Sequence, residues 1–272
     1  MKRSLGRRFA WPVVVAALSA AGLSIAGQSQ EATITQVVKD VQLLPPQATV
    51  RPAVVNDRVG EGCRVLTGAD SRAELIFEDQ TVARLSASSI FGFKGVRNLD
   101  LGDGAVLLQV PRSVKGAKIT ASGVSAAVTG ITGMFESHPG VYKFLVLEGT
   151  GRVYRRNHLG DSVLVRAGQM VIGDPNSPVS DPVDFDIGRF LQTSQLIINF
   201  APLPSETLMA QESQKQRRAK SRKTLIDTNL VIFGGGTLVS VLDPRHPAGT
   251  DRAVSQSPSP TPAPTAISSI KD

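Results

Sequence analysis

Residues 68–90 read GADSRAELIFEDQTVARLSASSI, and they set the terms for the rest of the chain. Two short runs, AELIF and VARLS, are joined by the polar turn Glu78-Asp79-Gln80 and bounded by Gly, Asp and Ser. Residues of that kind bracket strands because they supply positive φ and local side-chain hydrogen bonds at turns. The stretch holds no nucleophile with a neighbouring base, no metal-ligand spacing and no phosphate-cradling glycine pattern. It carries packing and turn chemistry alone.

The same grammar recurs from about Ala53 to Pro175. IFGFKG, LDLGDGAVLLQV, AKITAS, SAAVTGI, YKFLVLEGTGRVYRR and SVLVRAGQMVIG follow one another between Gly, Asp, Asn or Ser turns. Strands at such spacing, with no helical periodicity, predict a mainly β fold, a single β-sandwich or β-roll domain over 53–175. That length suffices for one hydrophobic core. In YKFLVLEG, Phe144 and Val146 alternate with Leu145 and Leu147, so both faces are apolar and the strand should be covered on both sides. The predicted core is Leu75, Phe77, Val82, Leu85, Phe91, Val106, Leu108, Val128, Phe135, Phe144, Val146, Val153, Val163 and Val165.

The flanks differ in composition. In residues 1–26, Lys2, Arg3, Arg7 and Arg8 precede the apolar run Phe9 to Leu23, and Ser24-Ile25-Ala26 offers the small residues of a cleavage site. This is the layout of a secretory signal peptide, which predicts export to the periplasm or cell surface. The alternative is an uncleaved membrane anchor, since Phe9 to Gly27 is long enough to span a tilted bilayer. Residues 27–52 read as a lead-in ended by Pro45-Pro46. Residues 176–243 read as a helical extension with a terminal strand pair. Asp184 is a candidate cap for a helix in which Ile187, Phe190, Leu191, Ser194, Ile197 and Ile198 fall near one face. A second, polar helix starts at Ser205 or Glu206, and LVIFGGGTLVSVLD forms the strand pair. Two short helices are thus expected. Residues 244–272 are dominated by Pro, Ser and Thr and predict a disordered tail.

The net charge of +7 is concentrated in two segments. Residues 1–26 carry four Lys/Arg and no acid, and residues 211–223 carry six Lys/Arg against Glu212, which leaves the rest at about −2. A basic run of this kind often marks nucleic-acid binding, but an exported protein rarely meets nucleic acid, so no such partner is expected. The run 211–223 reads as a solvated helix face or connector, with contact to anionic envelope lipid or polymer as its functional reading. Cys63, the one cysteine, has no intramolecular partner and is expected to be buried in GCRVL.

Tests for chemistry return nothing specific. His138, His158 and His246 lack metal-like spacing, and the first two sit in turn-like contexts. Asp100 to Gly104 is too short for a calcium loop, and Asp181, Asp184 and Asp186 are better explained by capping. Ser122 to Ala126 lacks the order of a nucleophile elbow, and Gly234-Gly235-Gly236 lacks the Lys of a phosphate loop. The sequence singles out no catalytic, cofactor-binding or metal-ligating residue, and no cofactor is expected. A stacking sugar site would need aromatic platforms, yet beyond Trp11 the chain has only Tyr142 and Tyr154 besides its phenylalanines.

Taken in order, the local patterns of 58–172 resemble the FecR domain of bacterial envelope proteins. VGEGCRVLTGADSRAELIFEDQTVARLSASSIFGF resembles that family's opening. LDLGDGAVLLQVP, ITASGVSAAVTGITGMFE, KFLVLEGTGRVY and VLVRAGQMVI resemble its later strands. The chain departs from the pattern with Asp79-Gln80 in place of Asp-Gly and with Gly130-Ile131-Thr132-Gly133 in place of a plain Gly-Thr. Founding members of the family send an N-terminal segment into the cytoplasm to contact a sigma factor; here about eight residues precede the apolar run. The resemblance therefore implies an exported all-β envelope module and does not carry anti-sigma activity over to it; the expected role is that of a non-enzymatic sensor or scaffold that binds an envelope protein or polymer. The alternatives are a membrane-tethered regulator of trans-envelope signalling and a hydrolase whose catalytic groups converge from distant loops.

Overall fold

The computed structural model describes residues 31–94, 97–219 and 225–226. The expected signal segment 1–26, the terminal strand pair 230–243, the tail 244–272 and the end of the basic run at 220–223 lie outside the described residues.

Strands dominate, as expected. They are β1 (Ala32–Val38), β2 (Val41–Leu44), β3 (Arg51–Pro52), β4 (Arg58–Val59), β5 (Arg64–Thr67), β6 (Arg72–Phe77), β7 (Val82–Leu85) and β8 (Ile90–Lys94). After them come β9 (Asn98–Leu101), β10 (Gly104–Val110), β11 (Ala117–Ala121), β12 (Val124–His138), β13 (Val141–Arg155), β14 (Ser162–Arg166), β15 (Gln169–Gly173) and β16 (Val183–Asp184). The opening stretch folds as read: β6 and β7 are an antiparallel hairpin with Ala73 opposite Leu85 and Ile76 opposite Val82. Gln80 takes the positive φ (66°) that its turn requires.

A single curled sheet closes over itself in two layers because β12 and β13 are long enough to serve both. The first half of β12, Val124 to Val128, pairs with β11, while Ile131 to Ser137 pairs with β10. On β13, Thr150 to Tyr154 pairs with β14 and Tyr142 to Leu145 with β15. The first layer runs β3-β2-β5-β8-β9-β11 into this hairpin and on to β14; the second runs β4-β1-β6-β7-β10 into it and on to β15 and β16. The hairpin changes layer where its register shifts, between Thr129 and Gly133. Gly149 has φ +85° there, and a Cβ on it would strike the Gly130 carbonyl oxygen, so this turn of the strand admits only glycine.

The inner faces of the two layers share one core. Thirteen of the fourteen predicted core residues are buried, and Val163 is half-buried against the same cluster. Val82 is buried in a second cluster on the outer side of the second layer. Residues 32–44, read from sequence as a lead-in, supply two strands to this core. Ile34 packs from β1 beside β6, and Val41 and Leu43 pack from β2 beside β5.

The second cluster confirms that 142–148 is covered on both faces. Leu107, Met134, Leu145, Leu147 and Met170 face Phe185, Ile187, Phe190, Leu196, Leu203 and Met209 from the segment after the strands. Each such burial stabilises by about 1.5–3 kcal/mol. The expected first helix is present as two pieces, α1 (Ile187–Thr193) and α2 (Gln195–Ile198), separated at Ser194, whose backbone is extended. The cap is Asp186, which accepts from the Arg189 N–H at 3.0 Å, whereas Asp184 lies in β16 opposite Gln169. The polar helix α3 (Glu206–Ala219) starts where expected. Ile226 forms a parallel bridge with Phe185.

Candidate functional site

The two outer faces differ. The second layer's is sealed by the chain's own helices, and one side chain fastens the seal. Arg84 projects outward from β7 yet is only 2% exposed. Its Nε donates to Glu74 Oε2 at 2.7 Å, Nη1 to the Leu196 carbonyl at 3.0 Å and Nη2 to the Ala201 carbonyl at 2.5 Å. The guanidinium also lies 4.8 Å from the centre of the Phe200 ring. Glu74 in turn accepts from Thr35 Oγ1 at 2.8 Å. Burial pulls the Arg84 pKa down and the Glu74 carboxylate opposes it. A guanidinium stays charged under such a balance, so β6 and β7 share an ion pair whose remaining N–H groups tie α2 and the segment after it to these strands.

The first layer's outer face has no such cover among the described residues; only Glu212 of α3 reaches its margin. Strand register lays its side chains out in rows. Asn98, Lys118, Ala127, Arg152 and Leu164 are successive cross-strand neighbours from β9 to β14, and Asp100, Thr120, Ser125, Tyr154 and Ser162 form the next row, with Asp100 3.4 Å from Arg64. Along β12 the outward side chains are Ser125, Ala127 and Thr129, all short, so β12 is the floor of a trough with Lys118 on one wall and Arg152 on the other. Two adjoining hollows of about 530 and 430 Å³ share Lys118 along this line, and a third of about 580 Å³ continues it past Thr129 to Arg166. Thr120 and Ser125 hydroxyls are 3.0 Å apart, and Arg152 Nη1 donates to Ser162 Oγ at 3.1 Å.

The trough is cationic. Lys115, Lys118, Arg152, Arg156 and Arg166 line it without a carboxylate partner among the described residues. The two acids in its walls are already engaged: Asp161 with Arg155 at 2.8 Å and Glu212 with Lys215 at 2.6 Å.

The residues tested for chemistry in the sequence scatter. His158 lines one end of the trough on an exposed loop, and His246 lies outside the described residues. His138 differs from its turn-like reading: it ends β12, with Nδ1 2.9 Å from Asp103 Oδ1 and Nε2 3.2 Å from Glu136 Oε1. Its pKa is raised, first by the hydrogen bond to Glu136. Burial works against the charge on Glu136, but His138 and Lys143, the latter at 2.5 Å, together hold its pKa below the usual range. Ser122 is on the β11–β12 turn and Ser125 is in the trough floor, with no histidine bonded to either. Cys63 is buried, and burial pushes its thiol pKa up. Among the described residues, no group of three or more His, Cys, Asp or Glu is placed to hold a metal ion.

Sequence reading missed the trough. Its signal was present in AKITA, GRVYRR and SVLVR, where Lys118, Arg152 and Arg166 are exposed beside buried Ile119, Val153 and Val165. What period-two alternation does not give is the register that brings the three strands' cations to one face.

Comparison with known proteins agrees with the motif reading over the middle of the chain. Residues 64–150, from β5 into β13, match the family model described as FecR protein. No curated protein matches the sequence. Two crystal structures of a proposed anti-sigma factor from Parabacteroides distasonis ATCC 8503, at 1.65 and 2.50 Å, are similar at a TM-score of 0.41 each, with 11% and 12% identity. Each likeness covers 48% of this chain and 65% or 64% of the other, so the chain spans less than two thirds of their length.

Proposed function

We propose that this chain is a non-enzymatic, exported FecR-domain protein that serves as a partner-binding sensor or scaffold in the bacterial envelope. The observation that carries the proposal is the inequality of its two faces. One is closed by the chain's own helices over a buried ion pair, and the other, among the described residues, is bare, grooved and lined by cations without a carboxylate partner. Isolated charges on a surface are ordinary; five of one sign along one trough are a field that concentrates an oppositely charged partner. The FecR match supports a regulatory role over a catalytic one. The layout of residues 1–26 supports export. Among the described residues no helix is long and apolar enough to cross a membrane.

Chemical crosslinking of intact envelopes followed by affinity capture tests the proposal, with Lys118→Glu/Arg152→Glu compared against the unaltered protein. Capture of a defined envelope component that the double variant loses is the expected result. Identical capture by both forms counts against the trough as the receiving surface.

A second reading, a tethered regulator of trans-envelope signalling, is favoured by the FecR match together with the apolar run Phe9 to Gly27. N-terminal sequencing separates the two, since a mature start near Gly27 removes the tether.

A further inference from the structure

From the shape and chemistry of the trough, we infer that its ligand is a linear, carboxylate-bearing polysaccharide of the envelope, laid along β12. The inference rests on the partner-binding reading and names the partner's chemistry.

The floor comes first. Ser125, Ala127 and Thr129 are successive outward residues, so the floor follows the strand for roughly 14 Å at about 3.4 Å per residue. The walls on β11 and β13 are two strand spacings apart, roughly 10 Å between backbones. Lys118 and Arg152 flank Ala127 in one cross-strand row, so the midpoint between them is a methyl group. A narrow, straight channel of this kind fits an extended chain one monomer wide, and it does not fit the broad patch that a folded protein presents.

The lining argues in the same direction. Stable protein interfaces centre on buried aromatic or aliphatic anchors and are poor in lysine. The β12 floor itself has no apolar side chain larger than Ala127; the larger groups, Leu159 and Tyr154, lie to its side with Arg156 among them. The hydroxyls of Tyr154 and Ser162 stand beside the cations instead, while Ser125, buried under them, is bonded to Thr120. That mixture suits a hydrated chain that carries both hydroxyl groups and periodic negative charge. The scarcity of aromatic rings, which speaks against a stacking sugar site, places no obstacle before an ionic one. Arg156 and Lys115 extend the charge beyond the two ends of the floor, so a long polymer gains contacts that a monosaccharide lacks.

Electrophoresis of the full-length exported product through gels containing polygalacturonate tests the inference, with neutral dextran as the reference polymer. Retardation by polygalacturonate that fades at high ionic strength is expected, since exposed charges are screened within about 8 Å at physiological salt. Lys118→Gln/Arg152→Gln should weaken the interaction about three- to tenfold, the size expected for two exposed ion pairs. Ala127→Tyr, which fills the channel without changing charge, should weaken it as well. Arg58→Gln, an exposed cation of β4 away from this face, should leave it intact. Equal losses with Arg58→Gln, or full retardation by Ala127→Tyr, would overturn the inference. So would equal, trough-dependent retardation by inorganic polyphosphate. If Lys118→Gln/Arg152→Gln abolishes crosslinks to an envelope protein while polygalacturonate retardation is unchanged, the polysaccharide assignment falls and the partner-binding reading stands. If neither readout changes, both fall.

Discussion

His138 joins the carboxylate of Glu136 on its own strand to that of Asp103 in the turn between β9 and β10, and its titration should be visible in stability. Because Glu136 and Asp103 raise its folded pKa above the usual value of about 6.5, the folded chain holds the proton more tightly than the unfolded one. The resulting stability is fully present below about pH 6.5 and is lost as pH rises through the raised folded pKa. Glu136 acts in the opposite sense: its folded pKa is lowered, so its contribution is present above about pH 4.5 and is lost as pH falls through the folded value. Thermal melts of the unaltered protein and His138→Gln at pH 5.5 and pH 8.5 should show the larger gap at pH 5.5. A gap that is equal or larger at pH 8.5 would mean that the imidazole is not charged in the fold. At this scale Cys63 was legible, because its neighbours in GCRVL are apolar. His138 was not: Glu136 lies two residues before it on β12, but Asp103 meets it only through the pairing of β12 with β10.

Among the elements, the segment that covers the second layer depends on Arg84. Arg84→Ala leaves Glu74 buried without its cation and strips the Leu196 and Ala201 carbonyls of their donor. Breaking a buried pair from one side costs about 3–5 kcal/mol, and urea unfolding should report a loss in that range. Removing Glu74 as well should restore part of the loss but not all, since the two carbonyls remain orphaned. If Arg84→Ala lost under about 1 kcal/mol, in the range of ordinary surface changes, the fastening role would be refuted. The helices themselves were half legible. Apolar spacing located them, but Ser194 interrupts the first because a serine readily takes an extended cap conformation in place of a helical one. Strand 142–148 was fully legible, since alternation with both faces apolar has one physical meaning, cover on both sides.

For the molecule as a whole, alternation and turn residues located the strands, while the closure into two layers was hidden. It depends on a long hairpin changing partners at Gly130 and Gly149, a non-local event that local patterning does not encode. The basic trough was hidden for a different reason. Net charge averages over all surfaces, so a remainder of about −2 conceals cations gathered on one face. Export carries its own optical test, because Trp11 is the chain's one tryptophan and lies in the expected signal segment. The exported form should fluoresce as a tyrosine protein; clear indole emission from detergent-purified envelope material would support the tethered regulator instead. The central claim, that the bare face of the first layer is where this protein meets its partner, is tested most directly by a photo-crosslinking amino acid placed singly at Ala127 or at Ile198 in living cells. Ala127 is exposed at the middle of the trough, and Ile198 is 51% exposed on the helix that helps cover the other layer. The account predicts that illumination links position 127, and not position 198, to an envelope component of defined size. Crosslinks from 198 with none from 127 would contradict it.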